Sequence, residues 1–141
     1  KFFFRFFFCR KRNFNESDLL GIFAIERKGE VERISQWRHL KNRMYLWHGS
    51  KVSNLMSIFN QGLRIAPAEA TNTGALFGKG IYFADNITKA LDYSHDYAAR
   101  DEGVKFQTVF LCEVALGETL ELYENKAIEE LEGMICQENF Y

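Results

Sequence analysis

Proline occurs once in this 141-residue chain and cysteine three times, at Cys9, Cys112 and Cys136, with no Cys-x-x-Cys pair. A single proline is too few for a low-complexity, disordered chain. Three scattered cysteines make neither a disulfide scaffold nor a zinc knuckle, and point to reduced thiols. No pair of His, Cys or carboxylate residues has zinc-ligand spacing, so no metal is expected. No apolar run approaches the ~18 residues that a transmembrane helix needs, so no membrane partner is expected. Charge of either sign is also not in excess: 18 Lys and Arg stand against 19 Asp and Glu, a net charge of -1. A chain-wide basic footprint for nucleic acid is therefore missing. What is present is 47% hydrophobic and 26% charged, the profile of one globular domain.

Lys1 rather than Met opens the chain, which reads as a fragment or a processed piece. Residues 1–12 are rich in phenylalanine and bases. Six of the fourteen phenylalanines lie before Cys9, and Lys1, Arg5, Arg10, Lys11 and Arg12 precede any acid. Neither a helical nor a strand period is clean there. A poorly ordered tail with no chemistry is the expectation, ahead of an anchor in a lipid headgroup layer.

Residues 13–141 carry the domain. Leu19 to Ile25 is apolar on both parities and predicts a buried strand. Val31, Ile34 and Trp37 predict a short amphipathic helix. Met44 to Trp47 predicts a strand ending at His48-Gly49-Ser50. Ser53 is placed to cap a helix whose face is Leu55, Ile58 and Phe59, with Gly62 ending it. Leu63 to Gly80 reads as loop, Gly80 to Ala84 as a short strand, and Ile87 to Tyr97 as a helix capped by Asp85 or Asn86. Lys105 to Leu116 reads as a long strand with Phe106, Phe110, Cys112, Val114 and Leu116 on one parity. Thr119 to Tyr123 predicts another strand, and Glu124 to Glu132 an acidic, helix-prone stretch. Strands and helices interleave without a regular βαβ rhythm, so the fold class is α+β.

The glycine-rich stretch GALFGKGIYFAD (74–85) invites phosphate-loop readings, and both fail. Only three residues separate Gly74 from Gly78, and Gly80 follows Lys79 where a P-loop needs Ser or Thr. The dinucleotide fingerprint fails because Phe83 stands where its third glycine belongs. His48 at a strand end beside Gly49 can present a ring nitrogen and a backbone amide to a ligand. It can equally be satisfied by a neighbouring carbonyl, and for a lone histidine that reading outweighs the other. His39 and His95 have nothing beside them to raise them above it. Tyr82, Phe83, Tyr93 and Tyr97 bracket the 87–97 helix, with Tyr93 and Tyr97 on one face. They are either core or two walls of a slot for a flat ring.

Four strings in order, ERKGEVER (26–33), LWHGSKVSNLMSIFNQGLRIAP (46–67), GKGIYFAD (78–85) and EVALGE (113–118), resemble the catalytic domain of poly(ADP-ribose) polymerases. The similarity covers roughly Asp18 to Leu122 and is closest to the DNA-damage-responsive members. It implies an ADP-ribosyltransferase-like fold, a split pair of antiparallel sheets with helices around an NAD+ cleft. It implies transfer of ADP-ribose from NAD+ to protein side chains, in some members as polymer, with release of nicotinamide. NAD+ would be the co-substrate and acceptor proteins the partners. DNA would enter only through domains outside this chain, and the location would be nuclear or cytoplasmic.

By that resemblance His48 would hold the adenine-ribose hydroxyls, and Gly49 would pair with the nicotinamide carboxamide through its backbone. Tyr82 would line the nicotinamide ribose and Tyr93 would stack on the nicotinamide ring. Ser50, Asn54 and Arg64 would contact the adenosine half, with Ser57 near it. Phe83, Ala84 and Lys89 would line the pocket, and Leu63 to Gly80 would form a loop over the donor. Three positions depart from the family pattern. Ala90 stands where a serine usually bonds the carboxamide, at a cost of about 0.5–1.5 kcal/mol. Ser57 stands where glycine is frequent, and Ala75 where an aromatic is frequent. By the same resemblance His48 and Tyr82 would be the first two members of the family's catalytic triad, and the third is a glutamate on a later strand. Glu129, Glu130, Glu132 and Glu138 lie in an acidic stretch without that signature, and none is nominated. The expectation is thus a C-terminally truncated domain, poorly active by itself. A degenerate NAD+ or ADP-ribose binder and an inactive fragment stand as the alternatives.

Overall fold

The structure, a computed structural model, describes residues 4–9, 19–65, 80–95 and 106–121. The chain divides into two units, Lys1–Gly62 with Tyr82–Glu118, and Leu63–Ile81 with Thr119–Tyr141. In the second unit the described residues, 63–65, 80–81 and 119–121, form no helix or strand.

The first unit is a mixed α/β fold with a small antiparallel sheet and short helices around it. Its strands are β1 (Phe4–Cys9), β2 (Leu19–Ile25), β3 (Arg43–Ser50) and β4 (Gln107–Ala115), in the spatial order β2-β1-β4-β3. Its helices are α1 (Glu30–Ser35), α2 (Leu55–Gln61) and α3 (Ile87–Leu91). Every described strand pair is antiparallel.

Within the Phe- and base-rich stretch 1–12, Phe4–Cys9 forms β1. Phenylalanine is a strong strand former, and β1 carries four of them among its six residues, FRFFFC. β2 is a strand as its composition predicts, but it is not buried. It lies at the sheet's edge, with Leu20, Ile22 and Phe23 exposed.

Gly29, with φ 74°, turns the chain from β2 into α1, whose first turn carries Glu30 and Glu32 and whose last carries Arg33. That charge order matches the helix dipole. Past α1, Arg43 ties the turn to the sheet: its guanidinium donates to the carbonyls of Trp37 (3.3 Å) and Leu40 (3.5 Å) and to Glu113 on β4 (2.8 Å). β3 runs through His48, Gly49 and Ser50 instead of ending before them. The expected Ser53 cap is replaced by a 3-10 turn, Val52–Asn54, from which α2 continues without a side-chain cap. Gly62 ends α2 as predicted, with φ 81° and its N–H bonded to the Ile58 carbonyl at 2.8 Å.

The predicted strand over Gly80 to Ala84 shrinks to one bridge, Trp47 to Ala84. Asn86, one of the two predicted caps, accepts the Thr88 N–H at 2.8 Å and starts α3. α3 stops at Leu91, well before Tyr97, which lies outside the described residues. The Leu91 carbonyl, which would accept the His95 N–H in a longer helix, takes Ser94 N–H (3.0 Å), Ser94 Oγ (2.7 Å) and Gln107 Nε2 (3.0 Å) instead. Thr119 to Glu121 forms no strand, because Gly117 at φ 60° turns the chain off the end of β4. The predictions over 66–79, 96–105 and 122–141 lie outside the described residues.

The core centres on the first half of β4. Val109 and Phe110 are fully buried on opposite faces of the strand. Val109 packs with Ala90 and Leu91 of α3, with Trp47 and Ile87 against them. Phe110 meets Phe59 of α2 edge-on, ring centroids 6.3 Å apart. α3 thus covers one face and α2 the other. Each fully buried large side chain stabilises the fold by about 1.5–3 kcal/mol.

Candidate functional site

β3 pairs with β4 in the register Trp47↔Leu111, His48↔Phe110, Gly49↔Val109 and Ser50↔Thr108. On the opposite edge of β3, Trp47 exchanges both backbone bonds with Ala84, N–H to Ala84 O at 2.7 Å and Ala84 N–H to Trp47 O at 2.8 Å. Backbone groups of successive strand residues point to opposite neighbours. His48 therefore faces β4, while Gly49 aims its N–H and C=O along the same outer edge as Trp47.

Were the bridge to continue two residues further, Gly49 would face Tyr82. It does not, because the Tyr82 carbonyl is bonded to His48 Nδ1 at 2.8 Å. A carbonyl can only accept, so Nδ1 carries the proton and Nε2 of the neutral ring is an acceptor. The His48 side chain thus takes the carbonyl that would have extended the ladder. It leaves a backbone donor and acceptor of Gly49 side by side at the point where the two segments part. The His48 ring sits between Phe83 and Phe110, with centroids 5.7 and 6.3 Å away. Burial there lowers its pKa below the ordinary 6.5, against the opposing pull of the Tyr82 carbonyl. Of the two readings of His48 left open by the sequence, the bond to a neighbouring carbonyl is the one seen in the structure.

Gly49 is required by packing as well. A Cβ on it would collide with the Ala90 carbonyl oxygen of α3. Ala90 itself is buried. Ser50 is buried, its carbonyl accepting Thr108 Oγ1 at 2.9 Å and its hydroxyl accepting Asn54 Nδ2 at 3.2 Å. Tyr82 and Tyr93 are 38% and 48% exposed, too open for core residues. Tyr93 is not on a helix face, as predicted, but in the turn after α3. Lys89 Nζ lies 5.7 Å from its ring centroid, a cation–π contact. Ser57 is exposed on α2, and Arg64 belongs to the second unit. The structure thus draws His48, Gly49, Tyr82, Phe83, Ala84 and Ala90 into one neighbourhood. Ser50 with Asn54, and Lys89 with Tyr93, form adjoining pairs.

Two supports were not foreseen. Gln107 is buried and donates to Leu91 O and Ser94 Oγ, both at 3.0 Å, with the His95 ring 3.3 Å away. It fixes the turn that carries Tyr93. The available signal is a polar Gln107 at the start of β4, beside the apolar run Val109–Cys112. Arg27 forms a largely buried pair with Glu30, its guanidinium against the Cα face of Gly62. Burial, with a smaller contribution from the Glu30 charge, pushes the Cys112 thiol up to about 12, so it stays protonated and inert. Among the described residues no group of His, Cys, Asp and Glu could hold a metal. No described helix is long and apolar enough to cross a membrane.

Comparison with known proteins adds a second line. The family profile described as poly(ADP-ribose) polymerase catalytic domain matches residues 10–138. Poly [ADP-ribose] polymerase 2 of Zea mays is 50% identical over 105 residues, 74% of this chain and 16% of that protein. Poly [ADP-ribose] polymerase 1 of Gallus gallus is 47% identical over 113 residues, 80% of this chain and 11% of that protein. Poly [ADP-ribose] polymerase 1 of Arabidopsis thaliana is 46% identical over 114 residues, again 80% and 11%. The chain thus spans well under a fifth of the length of these relatives.

Proposed function

The chain belongs to the poly(ADP-ribose) polymerase catalytic-domain family, and on that premise we propose that it binds NAD+ and passes ADP-ribose to protein side chains, releasing nicotinamide. The observation that carries the reading is the parted ladder at Gly49. An N–H and a C=O side by side are the complement of a carboxamide, which offers one acceptor and one donor in the same plane. Nicotinamide carries that group, and the exposed Tyr93 ring is available to stack on its pyridine. Neutral His48, with Nε2 as acceptor, suits a ribose hydroxyl, as the family resemblance implies. None of these groups carries a full charge, which fits a ligand gripped through amide and diol groups.

NAD+ supplies a glycosidic bond to a positively charged pyridinium, which departs as neutral nicotinamide. These residues would hold the two sides of that bond in fixed positions, so that binding energy is spent on orientation. The finer architecture of the family, a second sheet beside the one described, belongs to the same reading, as do nuclear or cytoplasmic acceptor proteins.

Ala90 favours a second reading, NAD+ binding without turnover. It is buried at a position where the family resemblance expects a serine hydroxyl. Titration of the full chain with NAD+ and with benzamide, alongside transfer of labelled ADP-ribose to itself, separates the two. Binding with label transfer supports the enzyme, and binding without it supports the second reading. If neither compound binds, both readings are wrong.

A further inference from the structure

β1 is the described strand that lies outside the family match: it spans Phe4–Cys9, and the match runs over 10–138. It nevertheless holds an inner place in the sheet. β2 is bonded to β1 on one side and β4 is bonded to β1 on the other, and no described ladder joins β2 to β4 directly. The registers run straight through to the site. Phe6 opposes Phe110, which opposes His48. Phe7 opposes Val109, which opposes Gly49. Phe8 opposes Thr108, which opposes Ser50.

The gap between β2 and β4 is therefore one strand wide, with a ladder waiting on each side. Such a gap asks for backbone pairing, which is indifferent to sequence, and for residues that favour extended structure. A phenylalanine-rich segment with none of the family's sequence meets both demands. We infer that the space between β2 and β4 is a strand-acceptor site, filled in cis by Phe4–Cys9, that takes an extended aromatic-rich peptide once its own strand is released.

The first test uses the unmodified full chain. His48 pairs its backbone with Phe110, so the amides of Thr108 and Phe110 face β3, and those of Gln107, Val109 and Leu111 face β1. Amide exchange should show both sets protected at least 100-fold. If the second set exchanges at unprotected rates, β1 is not in the slot and the inference falls. The second test places Phe7→Pro in the full chain, removing a ladder donor in mid-strand. The second set should lose its protection. A labelled synthetic peptide with the sequence of residues 1–9 should then bind at least tenfold more tightly than to the unmodified chain and restore that protection. Phe7→Thr, which keeps a strand former, should exclude the peptide as the unmodified chain does. Should Phe7→Pro not fold by itself, the peptide should restore its circular dichroism. Equal peptide binding by all three chains, or binding without returned protection, would overturn the proposal. So would a dimer that forms with rising concentration and carries the same two-sided protection, because the strand would then come from a second copy.

Discussion

The two edges of the sheet are made of similar material and behave differently. β2 reads LLGIFAI, apolar for most of its length, and β3 reads RMYLWHGS, apolar over Met44–Trp47. At the β2 edge three large side chains stand exposed. At the β3 edge Trp47 is locked to Ala84 by two backbone bonds and packed against α3, and the His48 ring is wedged between Phe83 and Phe110. Two residues further along, the same edge comes apart. The lesson is that an edge becomes a candidate site when a neighbouring segment engages it at one residue and is then diverted. Here the diversion is a single side-chain bond, His48 Nδ1 to the Tyr82 carbonyl.

The comparison breaks most visibly at the strand behind the site. Phe110→Ala removes a fully buried ring that supports His48 and meets Phe59. It should cost about 3–5 kcal/mol, read as a fall in the chemical-denaturation midpoint. Gly49→Ala comes next, at about 1–3 kcal/mol for overpacking, since its Cβ would drive into the Ala90 carbonyl. It should also abolish benzamide binding, because α3 must move away from β3. Stability and affinity that both survive Gly49→Ala would mean that α3 does not rest on β3.

These two positions differ in how far the sequence disclosed them. Phe110 was legible: it shares a parity with Cys112 and Val114 in a run too long for chance, and β4 follows. Gly49 was legible as a residue needed at a strand end, but its cause was not. The cause is the Ala90 carbonyl, 41 positions away in sequence, and no local pattern encodes that approach. The same limit explains the shortened α3. Helix propensity carries it toward Tyr97, and Gln107 from β4 stops it at Leu91 by a tertiary bond. It explains β1 in the opposite sense, since pairing on two sides rescues a segment whose own pattern is featureless.

Gln107→Leu tests the α3 side of the β3 edge with a smaller effect. Leu91 O keeps its two bonds from Ser94, so the loss should be about 1 kcal/mol. Benzamide affinity should fall more than stability alone explains, because Tyr93 lies in the turn that Gln107 holds. Acidification should act on the same edge through His48. Its folded pKa lies below the unfolded 6.5, so the unfolded chain takes up the proton first. The contribution is intact above pH 6.5 and is lost as pH falls through that value and on through the folded one. His48→Gln should flatten this part of the stability–pH curve between pH 7 and 5. A curve unchanged by the substitution would mean that the ring titrates as if solvated.

The smallest expected effect is at the other edge, and it is the sharpest check on the comparison. Ile22→Thr keeps a β-branched strand former and replaces a side chain that is half exposed on β2. Burial lost at such a position is slight, so the change should stay within about 0.5 kcal/mol. Benzamide affinity should not move, since β1 and β4 separate Ile22 from β3. A loss above about 1 kcal/mol would show that something covers β2. The β2 edge would then be engaged as the β3 edge is, and the exposure of Leu20, Ile22 and Phe23 could no longer be set against the engaged edge at Trp47.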